Sequence, residues 1–237
     1  MVNEADSLRS PDRIFDPDPR TPALVRIDSK TGLPRSITPI DQHEAVAWFE
    51  LNPTVPESVQ IHFETAKNIY LYAWCVFRFY PVAEQQAFST LEFALRERQP
   101  EFVKQYAEKH RRNADPGLGA LLRNAIKEGL LRNEVFPARN RWAHARALER
   151  YRHEQMEKMF AEGLTEMAVD DAGVVASEVD LNYDWLRAFL DAIPYLRNQH
   201  AHGSGMLYHT VLHTFDVVTQ IINQLYPAPV NPEGNDG

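Results

Sequence analysis

Residues 195–204 read Tyr-Leu-Arg-Asn-Gln-His-Ala-His-Gly-Ser, and they hold the side chains best suited to chemistry in this chain. Arg197 and His202 are five positions apart, with Asn198 directly after the arginine. A histidine titrates near neutrality and can take or return a proton at a ribose 2′-hydroxyl or a leaving oxygen. An arginine is permanently charged, and its fork matches the non-bridging oxygens of a phosphate. Asn198 can orient either group by hydrogen bonding. Together these residue types suit phosphodiester cleavage without a metal. On a continuous helix, residues five apart lie about 140° apart, so a bend at Gly203 would bring both side chains to one cleft.

Two other groups compete for notice. Arg139-Asn140-Arg141-Trp142-Ala143-His144 repeats the spacing, but it sits in a highly charged stretch and lacks a glycine after the histidine. Arg139, Arg141 and His144 are therefore candidates for contact with RNA rather than for cleavage. His209 and His213 stand four apart, with Asp216 as a third donor and His202 seven positions earlier, which is a spacing that metal sites use. The row reads HTVLH, with no glutamate after the first histidine, so polar-face histidines are the plainer reading and no cofactor is expected. There is no P-loop, dinucleotide fingerprint or nucleophile elbow.

Helices must position these residues. Strand-like alternation is nearly absent, and only five of the sixteen prolines fall between 57 and 226. Eight prolines lie in residues 1–56, and residues 1–55 read as an extended arm with a hairpin around Lys30-Thr31-Gly32, the first forty lying apart from the helices. Asp41 is the expected cap of a short helix to Leu51. Pro56-Glu57 opens a long helix that is apolar on nearly every side over 69–80, the pattern of a central helix, with Pro81 kinking or ending it. Further helices are expected at 82–98, 100–112 and 118–131. Residues 138–163 form a long charged helix that projects or covers a surface. Asp180 should cap a helix to Leu196, and Ser204 a final helix from 205 to 226. Residues 227–237 read as a disordered tail. In the final helix Val211, Phe215, Val218, Ile222 and Leu225 make an apolar stripe. His209, His213, Asp216, Gln220 and Asn223 make a polar one, which suits a subunit interface or a cleft wall.

Composition bounds the rest. The 237 residues, 44% hydrophobic and 24% charged, suit one globular domain with appendages. No apolar run is long enough to span a bilayer, and Met1–Arg13 has no apolar core of a secretory signal. Cys75 is the only cysteine, which excludes a disulfide framework and makes a reducing cytoplasmic setting the expectation. The net charge is −8, which argues against a generally basic nucleic-acid binder, yet residues 96–152 carry fourteen Lys/Arg against seven Asp/Glu. That local excess is either a solvated helix face or a patch that faces phosphates.

The motif Arg197-Asn198-x-x-Ala201-His202-Gly203 before the last helix of an all-helical chain resembles the HEPN superfamily. Residues 66–79, 90–96 and 222–226 also resemble uncharacterised bacterial HEPN-like proteins. The resemblance covers 56–226 and implies an up-and-down helical bundle that forms a homodimer, with two facing motifs making one composite RNA-cleaving site. It implies Arg197 as phosphate stabiliser, His202 as acid or base and Asn198 as orienter, in a metal-independent endoribonuclease of a defence or toxin–antitoxin system with an antitoxin partner. Some members are inactive interaction modules. In such a module Arg197 would cap helix carbonyls, and His202 would bond the backbone at the Gly203 turn. A metal-dependent hydrolase built on His202, His209 and His213 is the third alternative.

Overall fold

The computed structural model describes residues 4–110, 115–201 and 208–229, and from 194 to 201 it describes the backbone alone. Among these residues the regular structure is helical, α-helices with a few short 3-10 turns, apart from one two-stranded ribbon. β1 (Val25–Ile27) pairs antiparallel with β2 (Pro34–Ser36), Arg26 lying opposite Arg35. The turn between them is the expected hairpin. Asp28 accepts hydrogen bonds from the amides of Lys30 and Thr31, and Gly32 takes a φ of +70°. A side chain there would be strained, which is why a glycine closes the turn.

α1 (Pro39–Ala47) corrects one expectation. Its cap is Thr38, whose hydroxyl oxygen accepts from the Asp41 amide, while Asp41 accepts from the Thr38 amide in return. Asp41 is thus the third helical residue of a capping box, and the helix ends before Leu51.

α2 (Glu57–Tyr72) opens after Pro56 as the sequence predicts. The apolar stretch at 69–80 is not one central helix. α2 stops at Tyr72, residues 73–78 turn, and α3 (Phe79–Arg98) begins with Pro81 in its first turn. Proline is tolerated there because the first amides of a helix have no intrahelical acceptor. α3 is the central helix, packing against α2, α5 (Leu118–Lys127), α8 (Trp185–Ala201) and α9 (Leu212–Leu225). The predicted apolar stripe of α9 is the core face: Val211, Phe215, Val218, Ile222 and Leu225 are all buried. The Phe215 ring meets those of Phe49, Phe63 and Tyr70 at centroid distances of 5.9–6.0 Å. Burying such a ring stabilises the fold by about 2 kcal/mol relative to leaving it wet.

The N-terminal arm docks on the turn that interrupts 69–80. Residues 1–40 do not lie apart from the helices where the structure describes them; the arm runs across the α2–α3 turn. Asp18 is fully buried, and its amide and the Thr21 hydroxyl both donate to the Trp74 carbonyl, at 2.9 and 3.1 Å. The Asp18 carboxylate accepts from the Phe77 amide at 3.0 Å and from the Arg20 guanidinium at 2.8 Å. Arg9 donates to the Cys75 carbonyl, and Asp6 pairs with Arg20 and Arg78. The turn's backbone groups would otherwise be left without partners, and the arm supplies them. Proline-rich composition and absent periodicity conceal such docking, because each polar contact uses one residue and no repeat. Farther along, the ribbon is tied to α1 through Asp41, which accepts from Arg26 at 2.7 Å and Arg35 at 2.6 Å.

α4 (Pro100–Lys109) lies on α3, and α6 (Arg139–Ala161) is the expected long charged helix, with only Ala143 and Ala147 buried. Its basic residues are largely paired within the chain. Arg150 grips the buried Asp180 at 2.5 and 2.7 Å, Arg152 pairs with Asp171, and the Arg146 guanidinium lies 3.7 Å from the Tyr183 ring centroid. Asp180 does not cap a helix to Leu196. It closes a capping box with Ser177 in α7 (Glu178–Leu181), and α8 starts separately at Trp185. Ser204, the expected cap of the last helix, and the tail from 230 lie outside the described residues; α9 itself begins at Leu212.

Acid should weaken this arrangement. Arg35 and Thr38 around Asp41, and Arg150 and Ser177 around Asp180, hold both carboxyls well below their usual range. At Asp18 burial pushes upward, but the hydrogen bonds from Arg20 and the Phe77 amide outweigh it and the carboxyl is lowered. A carboxyl depressed in the folded state lends stability above its unfolded pKa of about 4, and that stability drains as pH falls below it. The thermal midpoint followed by circular dichroism should be flat from neutrality to about pH 5 and fall steadily below about pH 4. A midpoint that rises on acidification would contradict the three pairs.

Candidate functional site

α8 carries the leading motif. Leu186 and Ile193 are buried on it, Phe189 and Leu190 pack against the core, and the helix runs unbroken through Ala201. Arg197 follows Ile193 by one helical turn, so the backbone continues the packed stripe toward it, and Asn198 is next. Their side chains, and the whole of His202, lie outside the described residues. The backbone therefore puts Arg197 and Asn198 on the last turns of one helix, and it does not report how they meet His202.

The chain is described again from Tyr208, and there it is pinned. The Tyr208 hydroxyl donates to Glu84 Oε2 at 2.7 Å, and the Thr214 hydroxyl donates to Glu84 Oε1 at 2.5 Å. Glu84 sits in α3 and is 5% exposed. Burial and the neighbouring Glu84 carboxylate both push the Tyr208 phenol up, so it stays protonated and remains a donor. Sequence reading missed this carboxylate. The signal was present: Tyr80, Ala83, Ala87 and Leu91 form the inward stripe of α3, and Glu84 falls inside it. A charge on a core stripe needs fixed partners, and here two hydroxyls bordering the motif-bearing segment serve.

A cavity of about 590 Å³ opens beside this carboxylate, walled by Phe88, Trp142, Trp185 and Phe189 from α3, α6 and α8 and by Phe136 from the loop before α6. His213 lies on its rim and is exposed. The size suits a small organic group.

The remaining predicted residues separate. In α6, Arg139 donates to the Leu181 carbonyl at 2.9 Å, and Arg141 donates to Asp216 at 2.5 Å. His144 is exposed, about one turn beyond Arg141. The second copy of the motif thus has both arginines engaged in holding α7 and α9. The histidine pair is not arrayed on a helix, because His209 precedes α9 while His213 lies within it. The His209 ring lies near those of Phe77 and Tyr80. Among the described residues, no group of three or more His, Cys, Asp or Glu is placed to hold a metal ion.

The polar stripe of α9 is largely consumed inside the molecule. Asp216 binds Arg141 and accepts from Gln220; Gln220 accepts from the Ala138 amide. Asn223 accepts from the Asn52 amide at 2.7 Å and donates to the Glu50 carbonyl at 2.9 Å. These side chains strap the loops at 50–54 and 132–138 to the last helix, rather than forming a free wall.

No family model matches the chain, and no curated protein or solved structure is detectably similar to it. Among the described residues no helix is long and apolar enough to cross a membrane.

Proposed function

We propose that this chain is an HEPN-like, metal-independent endoribonuclease acting as a homodimer. Arg197 steadies the phosphate, Asn198 orients, and His202 transfers the proton. The observation that carries the reading is the motif's place: α8 runs through Arg197 and Asn198 to Ala201, and Tyr208, six residues after His202, is fastened to the buried Glu84. A short segment held at both ends is what a composite Arg–His site requires, because catalysis depends on positioning to within a few tenths of an ångström. The setting that the resemblance implies, a defence or toxin–antitoxin pair with a protein antitoxin, belongs to the same proposal.

The dimer has its own test. Light scattering at micromolar concentration should report twice the 27.2 kDa chain mass. A monomer at that concentration would remove the composite site and leave the single-chain geometry to account for any cleavage. Activity is tested by incubating the purified chain with RNA in EDTA. Cleavage should persist, since proton transfer and charge stabilisation both come from side chains. Loss of cleavage in EDTA would overturn the metal-free mechanism.

A further inference from the structure

The basic excess at 96–152 divides in two once the pairs are assigned. On α6, Arg139, Arg141, Arg146, Arg150 and Arg152 are all engaged within the chain. On α4 and α5 the cations face outward instead. A groove of about 950 Å³ runs between these two helices, bordered by Arg98, Lys109, Arg123 and Lys127, all exposed. Among the described residues neither Lys109 nor Arg123 has an ion-pair or hydrogen-bond partner. Glu101 and Glu128 also border the groove, Glu128 lying 3.9 Å from Lys127, so four cations meet two carboxylates on an otherwise acidic protein.

The groove also holds flat surfaces. Tyr106 and His110 stack with centroids 3.8 Å apart and planes 14° from parallel. The His110 Nδ1 lies 2.8 Å from the Tyr106 carbonyl oxygen. A carbonyl can only accept, so Nδ1 carries the proton and the ring is held in one orientation. His110 is exposed, half-buried Tyr106 backing it. The groove floor is fixed by a hydrogen-bond chain: Asn124 donates to Gln99 at 2.9 Å, and Gln99 donates to the Leu95 and Leu121 carbonyls.

We propose that the α4–α5 groove binds single-stranded RNA, its cations tracking the phosphates and the Tyr106–His110 stack receiving a base. Cations along a groove with an aromatic platform are the features that hold single strands without sequence preference. A flat platform favours an RNA over an acidic peptide, which carries charge but no base. None of the motif residues is among the described residues that line the groove. Arg98 at its edge donates to the Leu225 carbonyl at the C-terminal end of α9, whereas the motif precedes the N-terminal end. The 14 residues of α9 put that carbonyl about 20 Å from the helix's own first residue, Leu212. The groove would therefore hold the strand and add affinity without chemistry. The choice of RNA over DNA rests on the ribonuclease reading above; the groove's own chemistry specifies a single-stranded polyanion with bases.

The test measures binding alone. The full-length His202→Ala chain, which should leave RNA uncut, is titrated against a fluorescein-labelled oligouridylate by anisotropy across a salt series. Single-strand affinity falls with salt by about 0.7 log units per log unit for each phosphate neutralised. Lys109→Gln with Arg123→Gln should lower that slope by about 1.4 and weaken binding at low salt at least tenfold. His110→Ala should weaken binding several-fold at every salt concentration and leave the slope unchanged, because stacking is not ionic. An oligodeoxyuridylate arm separates RNA from DNA, and comparable binding of both would keep the groove and withdraw the preference for RNA. Competition by oligoglutamate as strong as that by RNA, or variants that bind like the parent, would overturn the proposal. Cleavage failing elsewhere leaves this titration intact, so the two readings fail separately.

Discussion

Asp18→Ala is expected to destabilise the protein by about 2–3 kcal/mol and to free the N-terminal arm. The substitution leaves the Phe77 amide without its acceptor, and a buried donor without a partner costs about 1–3 kcal/mol. It also breaks the pair with Arg20, whose side chain is partly exposed and can turn to water, so this share is smaller than for a fully buried pair. Arg20 would then keep Asp6, the Ala5 carbonyl and the face of the Phe77 ring, and the Arg9–Cys75 contact would lose the neighbouring segment that aligns it. The thermal midpoint should drop by about 5–10 °C for a chain of this size. Trypsin should cut at Arg13 and Arg20 faster than in the parent. Asp18→Asn should rescue little, since its amide nitrogen would face the Arg20 guanidinium. An unchanged midpoint together with unchanged cutting would mean that the arm is not a structural clamp.

That arm shows what was and was not legible in the sequence. Helical periodicity located α2, α3, α5 and the apolar face of α9, because each buries a stripe that repeats every three or four residues, whereas α6 was legible as a long charged run without breakers. The hairpin was legible from one glycine flanked by turn formers. What escaped was contact made by single residues across long separations. Asp18 with Phe77 spans 59 positions and Gln42 with Tyr80 spans 38, and no local pattern announces either. The apolar segment 69–80 was readable as core-forming, and Tyr70, Ala73, Phe77 and Tyr80 are buried, but the turn within it was not readable, because the arm residues that bind its backbone lie more than fifty positions away. At the site, the Arg197–His202 motif was readable from residue types alone. Glu84 was hidden by its own helix, where one carboxylate among apolar positions looks like an interruption of the stripe. The polar stripe of α9 was seen, but its partners were not: Asp216, Gln220 and Asn223 hold neighbouring loops.

His202→Ala and Arg197→Ala should each lower RNA cleavage about 10²- to 10³-fold, equivalent to roughly 2–4 kcal/mol of transition-state stabilisation. Without the imidazole, no group of suitable pKa accepts the 2′-hydroxyl proton or protonates the leaving oxygen. Without the guanidinium, the charge developing on the phosphate loses its fixed counterion, and Arg197→Lys should rescue only in part because an ammonium cannot bind two oxygens as a fork does. The effects should not add, since acid–base and charge-stabilising groups act on one step. Helical content and thermal midpoint should stay near those of the parent. His144→Ala should leave cleavage within about twofold, because Arg139 and Arg141 of that copy are engaged with Leu181 and Asp216. Loss of activity in His144→Ala with retention in His202→Ala would transfer the site to α6.

The central claim is that the chain cuts RNA through its own side chains. The most direct measurement incubates the purified full-length protein and its His202→Ala variant with RNA and with DNA in excess EDTA, and identifies the termini of any products by mass spectrometry. Attack by the neighbouring 2′-hydroxyl predicts 2′,3′-cyclic phosphate ends, intact DNA and an inactive variant. Intact RNA from the parent protein, or cleavage that His202→Ala carries out equally well, would contradict the account.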